Sequence, residues 1–98
     1  MNIDTLQTTA RAMVAPGKGI LAMDESAPTC NKRFEALGIP ATLEMRREYR
    51  TMLVSSPGLG EYIGGAILFD ETLRDQTTDG KSFVDVLNEQ GIVPGIKV

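Results

Sequence analysis

The chain has 98 residues, enough for one small domain, and its 42% hydrophobic and 23% charged residues are ordinary for a globular protein. A net charge of −3 argues against a nucleic-acid surface, which needs a basic stripe, and no apolar run approaches the roughly 18 residues of a membrane helix. One cysteine and no histidine exclude a disulfide framework, a cysteine-based zinc site and any Ser-His or Cys-His nucleophile pair, so chemistry here must use Asp, Glu, Lys, Arg and hydroxyls.

Residues 3–14 place Ile3, Leu6, Ala10, Met13 and Val14 at helical spacing, with Asp4 or Thr5 as the expected cap. The start, Met1-Asn2-Ile3-Asp4, has neither a basic stretch nor an apolar core, so no secretory leader is expected. Ala15-Pro16-Gly17-Lys18-Gly19 breaks the helix. It shares glycines and a lysine with phosphate-binding loops, but it precedes a strand rather than a helix N-terminus, so a turn with a solvated lysine is the better reading. Ile20-Leu21-Ala22-Met23 reads as a buried strand ending at Asp24-Glu25-Ser26. Pro28 and Thr29 read as a turn and cap, and residues 31–37 as a short helix stopped by Gly38 and Pro40.

Thr42 is expected to cap the next helix, with Met45, Tyr49, Met52 and Leu53 on its packed face and Arg46, Arg47 and Arg50 on a solvated one. Pro57-Gly58-Leu59-Gly60 ends it. Residues 63–69 form a second apolar strand, followed by Asp70 and Glu71; Thr77-Thr78-Asp79-Gly80 is a turn. Phe83, Val84, Val86 and Leu87 mark a helix closed by Gly91, and Ile92 to Val98 reads as a third strand, interrupted by Pro94 and Gly95. Continuous apolar strands alternating with amphipathic helices predict an α/β fold with a parallel sheet, in one domain without an internal boundary. Three strands are too few to close a barrel of about 250 residues, and the last strand has no helix after it, so residues 1–98 are expected to be a truncated portion of something larger.

Polar residues just after the strands stand where such sheets hold their function. Asp24 is either a helix cap or an active-site acid. Thr29, Asn31, Lys32 and Arg33 offer free amides and two cations that suit a phosphate, although an ordinary solvated first turn explains them equally well. Lys97, between Ile96 and Val98, is unusual in an apolar strand and needs a partner; Asp24 is the candidate. Cys30 reads as a packing residue.

Four ordered blocks resemble the class I, Schiff-base fructose-bisphosphate aldolases: residues 14–26, residues 63–73, residues 78–83, and residues 91–98. The segments around Asp24, Thr29-Cys30 and Pro57 to Gly60 are most similar to the cyanobacterial and plastid branch. The resemblance implies a partial (β/α)8 barrel and reversible cleavage of fructose 1,6-bisphosphate to dihydroxyacetone phosphate and glyceraldehyde 3-phosphate, with no metal or other cofactor. It makes Asp24 an active-site acid and Lys97 a cation touching Asp24 and substrate. It places Ser26, Thr29 and Arg33 at a substrate phosphate, and Arg46 among the substrate-binding residues. The Schiff-base lysine, the acid/base glutamate and a further lysine belong to later strands of the family's barrel, so a polypeptide of these residues alone is expected to be inactive. A phosphorylated sugar as ligand, a homo-tetramer for the complete enzyme, a cytoplasmic location and no membrane or nucleic-acid partner complete the expectation. The competing expectations are a related barrel enzyme for another phosphorylated ketose, and an inactive remnant that only binds phosphate or associates with intact subunits.

Overall fold

The computed structural model describes residues 2–97. Helix α1, Ile3–Met13, is capped by Asn2, whose side chain accepts a hydrogen bond from the Thr5 amide at 2.8 Å, rather than by Asp4 or Thr5. Pro16 and Gly17 then form a tight turn in which the Lys18 amide donates to the Ala15 carbonyl at 3.0 Å; Gly17, at φ +78°, takes the left-handed conformation that side chains resist. Strand β1, Gly19–Met23, follows.

Helix α2 spans Ala27–Ala36 and starts earlier than the sequence indicated. Ser26 is its cap, Pro28 lies in the first turn where its missing N–H costs nothing, and Thr29 is inside the helix. Helix α3, Leu43–Val54, has the expected Thr42 cap. Two single-turn helices, α4 (Leu59–Tyr62) and α5 (Asp70–Leu73), flank strand β2, Ile63–Leu68; four residues are too few to show a period. Helix α6, Phe83–Glu89, leads to strand β3, Val93–Ile96. Lys97 therefore follows the third strand instead of lying inside it, although its amide still donates to the Leu68 carbonyl at 2.9 Å. The expected strand end at Val98 lies outside the described residues.

The strands form one parallel sheet in the order β1-β2-β3. Leu21 and Met23 of β1 stand beside Ala66 and Leu68 of β2, and this face packs on Val54 of α3, Phe83 and Leu87 of α6, and Ile92. Burying each large side chain of this core stabilises the fold by about 1.5–3 kcal/mol relative to exposure. Ile20, Ala22, Ile67, Val93 and Gly95 alternate onto the other face. Only its lower end is covered, by the last turn of α1. The β1–β2 register slips by one residue at Gly64, and a Cβ on Gly64 or Gly65 would lie 2.8 Å from atoms of Ala12 or Met13. The close approach of the α1 main chain to β2 thus requires glycine at position 64, whereas a Cβ at position 65 would meet the movable end of the Met13 side chain.

Candidate active site at the strand ends

Asp24 and Lys97 continue the alternation of β1 and β3 onto the uncovered face, at the carboxyl ends of their strands. Strand β2 lies between them, so their main chains are two strand spacings apart, about 10 Å. The long stem of Lys97 crosses this gap and places its Nζ 3.9 Å from Asp24 Oδ2. The pair is half-exposed, with 49% of the lysine and 34% of the aspartate side chain accessible. The cost of burying an unpaired ammonium, which made this lysine conspicuous in the sequence, is avoided both by the partner and by water.

The α2 start stands beside this pair. Ser26 Oγ lies 3.0 Å from Thr29 Oγ1 and accepts from the Thr29 amide at 3.4 Å. The two hydroxyls that the family resemblance assigns to a phosphate are thus close together at a helix N-terminus. Arg33, one turn further on and 63% exposed, donates to Glu25 Oε2 at 2.7 Å. The same oxygen accepts from the Tyr49 hydroxyl at 3.2 Å. Burial first, and then the neighbouring Glu25 charge, raise the Tyr49 pKa above its ordinary value.

Behind the strand ends lies an ion-pair network that overturns the reading of Arg46 and Arg50 as a solvated face. Both residues are buried, and Arg50 is only 1% exposed, while Met52 of the expected packed face is 60% exposed. Glu71, in α5 just past β2, accepts from Arg46 Nε and Nη2 at 3.0 and 2.9 Å and from Arg50 Nη1 at 2.6 Å. Arg46 Nη1 also donates to Asn31 of α2 at 2.8 Å, so each of its three nitrogens is occupied within the protein. Arg50 Nη2 donates to the Glu25 carbonyl at 3.2 Å and lies 3.9 Å from Cys30 Sγ. Hydrogen bonds from Arg46 and then Arg50, reinforced by their charges, hold the Glu71 carboxyl down at about 2. Cys30 is buried, as its packing role required, and burial pushes its thiol above the ordinary value.

Tyr49, Arg50 and Glu71 had not been singled out as site residues, whereas Asn31, expected near a phosphate, is engaged by Arg46. One signal for Arg50 was available: Arg46, Arg50 and Val54 recur every four residues along one side of α3. Among the described residues, no three His, Cys, Asp or Glu side chains gather closely enough to hold a metal ion.

A parallel three-stranded sheet packed against helices, with an acid and a cation meeting above its strand ends, is consistent with part of a (β/α)8 barrel. Residues 5–98 match the family model described as fructose-bisphosphate aldolase class-I, and the chain belongs to that family. It is 61% identical over 95 residues to the chloroplastic fructose-bisphosphate aldolase of Spinacia oleracea, covering 97% of this chain and 24% of the relative. It is 56% identical over 98 residues to the probable class 1 aldolase of Xanthomonas campestris, covering all of this chain and 29% of the relative. A solved fructose-bisphosphate aldolase structure from Plasmodium falciparum superposes on the whole chain with a TM-score of 0.91 at 44% identity, over 29% of its own length. The chain thus spans about a quarter of the length of the relatives it matches.

Proposed function

We propose that these residues supply one wall of the active site of a fructose-bisphosphate aldolase, which cleaves fructose 1,6-bisphosphate to dihydroxyacetone phosphate and glyceraldehyde 3-phosphate. The observation that carries the proposal is the Asp24–Lys97 pair, 3.9 Å apart above the strand ends, beside a helix start bearing Ser26, Thr29 and Arg33.

In this reading the Asp24 carboxylate takes the proton of the sugar hydroxyl whose carbon becomes the new carbonyl. Lys97, 3.9 Å from Asp24, offers its ammonium to the substrate oxygens. Ser26, Thr29 and Arg33 hold one phosphate, helped by the free amides and dipole of α2. Arg33 exchanges the Glu25 carboxylate for the phosphate as substrate arrives. Arg46 acts as a positioning residue, because it is buried and donates from each of its three nitrogens to Glu71 or Asn31. The protonated imine that accepts the electrons of the breaking carbon–carbon bond forms on a lysine from a later strand of the family's barrel. Homo-tetrameric assembly and a cytoplasmic location belong to the same proposal. Among the described residues no helix is long and apolar enough to cross a membrane.

The test is cleavage of fructose 1,6-bisphosphate by the complete enzyme carrying this segment. Asp24→Asn is expected to lower kcat by about 10²-fold or more, the usual range for a lost general acid or base. Lys97→Met is expected to weaken both binding and turnover. An unmutated enzyme that fails to cleave the substrate, or an Asp24→Asn variant with unchanged turnover, would overturn the proposal.

A further inference from the structure

We infer that Arg50, which is sealed from solvent, is the positioning residue that sets the geometry of this active site, through its hydrogen bond to the main chain of Glu25. This rests on the aldolase reading above.

Arg50 Nη2 donates to the Glu25 carbonyl at 3.2 Å. Glu25 is the single residue between Asp24, the proposed base, and Ser26, the cap that opens the proposed phosphate site. One hydrogen bond therefore fixes the peptide that both depend on. The other arm of the same guanidinium holds Glu71 at 2.6 Å, which ties the end of β1 to the end of β2. The Lys97 amide is bonded to Leu68, also at the end of β2, so the chain of contacts runs from Lys97 through β2 and Arg50 to Asp24. The Asp24–Lys97 separation depends on that chain of contacts.

Burial argues for the same role. The Arg50 side chain is 2% accessible, and a buried ion pair is often no more stabilising than well-packed apolar residues of similar volume. Packing alone would be served by a methionine. The rigid fork, with two donors aimed at a carboxylate and a carbonyl, fixes the directions in which two strand ends point. Arg47, the next residue on α3, makes a contrasting pair: it binds Asp75 at 2.9 Å and touches none of the residues assigned to the site.

Steady-state kinetics of the complete enzyme, corrected for the folded fraction, separate a positioning role from a structural one. Arg50→Lys keeps the charge and loses the fork. It is expected to lower kcat and raise KM for fructose 1,6-bisphosphate together, by about tenfold or more in kcat/KM, since an ångström of misplacement costs up to about 10²-fold. Arg50→Ala leaves a guanidinium-sized space, and added guanidinium ion is expected to restore part of kcat. Arg47→Ala is expected to hold both constants within about twofold while losing its own ion pair. If Arg50→Lys loses only folded protein, with kcat and KM per folded enzyme unchanged, the inference falls and Arg50 is structural. If the Arg50→Ala variant fails to fold, the Arg50→Lys and Arg47→Ala comparison decides alone. An unmutated enzyme without aldol cleavage overturns the aldolase reading itself, which distinguishes that failure from this one.

Discussion

On the helix-bearing face of the sheet, Leu21, Met23, Ala66 and Leu68 meet Val54, Phe83 and Leu87, and most of these side chains are sealed from water. On the opposite face Ile20 and Ala22 remain exposed, α1 covers only the lower end, and Asp24 and Lys97 stand at the upper end. The two faces share the same strands and differ only in residue parity. In this segment one parity packs against the helices, and the other, which lines the interior of a (β/α)8 barrel, carries Asp24 and Lys97 at the strand ends. The contrast explains why the core residues are clearly apolar while the site residues are few, polar and partly accessible.

The largest expected effect lies on the packed face. Phe83→Ala removes a fully buried ring and is expected to lower the unfolding free energy of these 98 residues by about 3–5 kcal/mol, read from urea midpoints. Ile20→Ala, on the open face, is expected to cost clearly less in these 98 residues, since Ile20 is 44% exposed. Equal losses would break the contrast between the faces.

A smaller effect is expected where α1 closes the open face. Gly65→Val drives a side chain into Met13 and is expected to cost about 1–3 kcal/mol. Hydrogen exchange would show faster exchange confined to α1; unchanged protection there would mean that α1 is not anchored by β2.

The pH response isolates the network that joins the faces. Glu71 is held at about 2, below its ordinary 4.5, so the folded state binds the proton less tightly than the unfolded chain. The resulting stability is complete above about pH 4.5 and is lost as pH falls toward 2. Glu71→Gln is expected to flatten that part of the stability profile, and an identical acid slope in the variant would assign the effect elsewhere. The smallest stability change is expected from Asp24→Asn. It breaks a half-exposed pair worth at most about 1 kcal/mol, although the same substitution is expected to be severe for turnover. A large loss of stability would move Asp24 from the functional group of residues to the structural one.

Much of this organisation was legible in the chain. The apolar runs at residues 20–23 and 63–69 located β1 and β2, although Phe69 leaves the strand to begin α5, and the turns at Gly17 and Gly80 fell where expected. Thr42 announced its helix, because a hydroxyl before a periodic segment satisfies a free amide of the first turn. The caps of α1 and α2 were misplaced because Asn2, Asp4, Ser26 and Thr29 carry similar acceptors, and the choice between neighbours depends on where the chain enters the helix. The single turns α4 and α5 had no period to detect.

The sequence by itself determined the alternation of helices and strands, the parallel sheet and the positions of the polar strand ends, because hydrophobic periodicity and turn chemistry are local properties. Only the tertiary structure decided which charges are buried. Arg46 and Arg50 looked solvated while their partner was unknown, and Glu71 stands 25 and 21 residues further along the chain. A guanidinium can leave water only when a carboxylate and a carbonyl arrive together to receive it, and that coincidence is a property of the folded arrangement. The Asp24–Lys97 pair was expected from the sequence, because both stand at strand ends, and strand order, not distance along the chain, brings its two members within 3.9 Å.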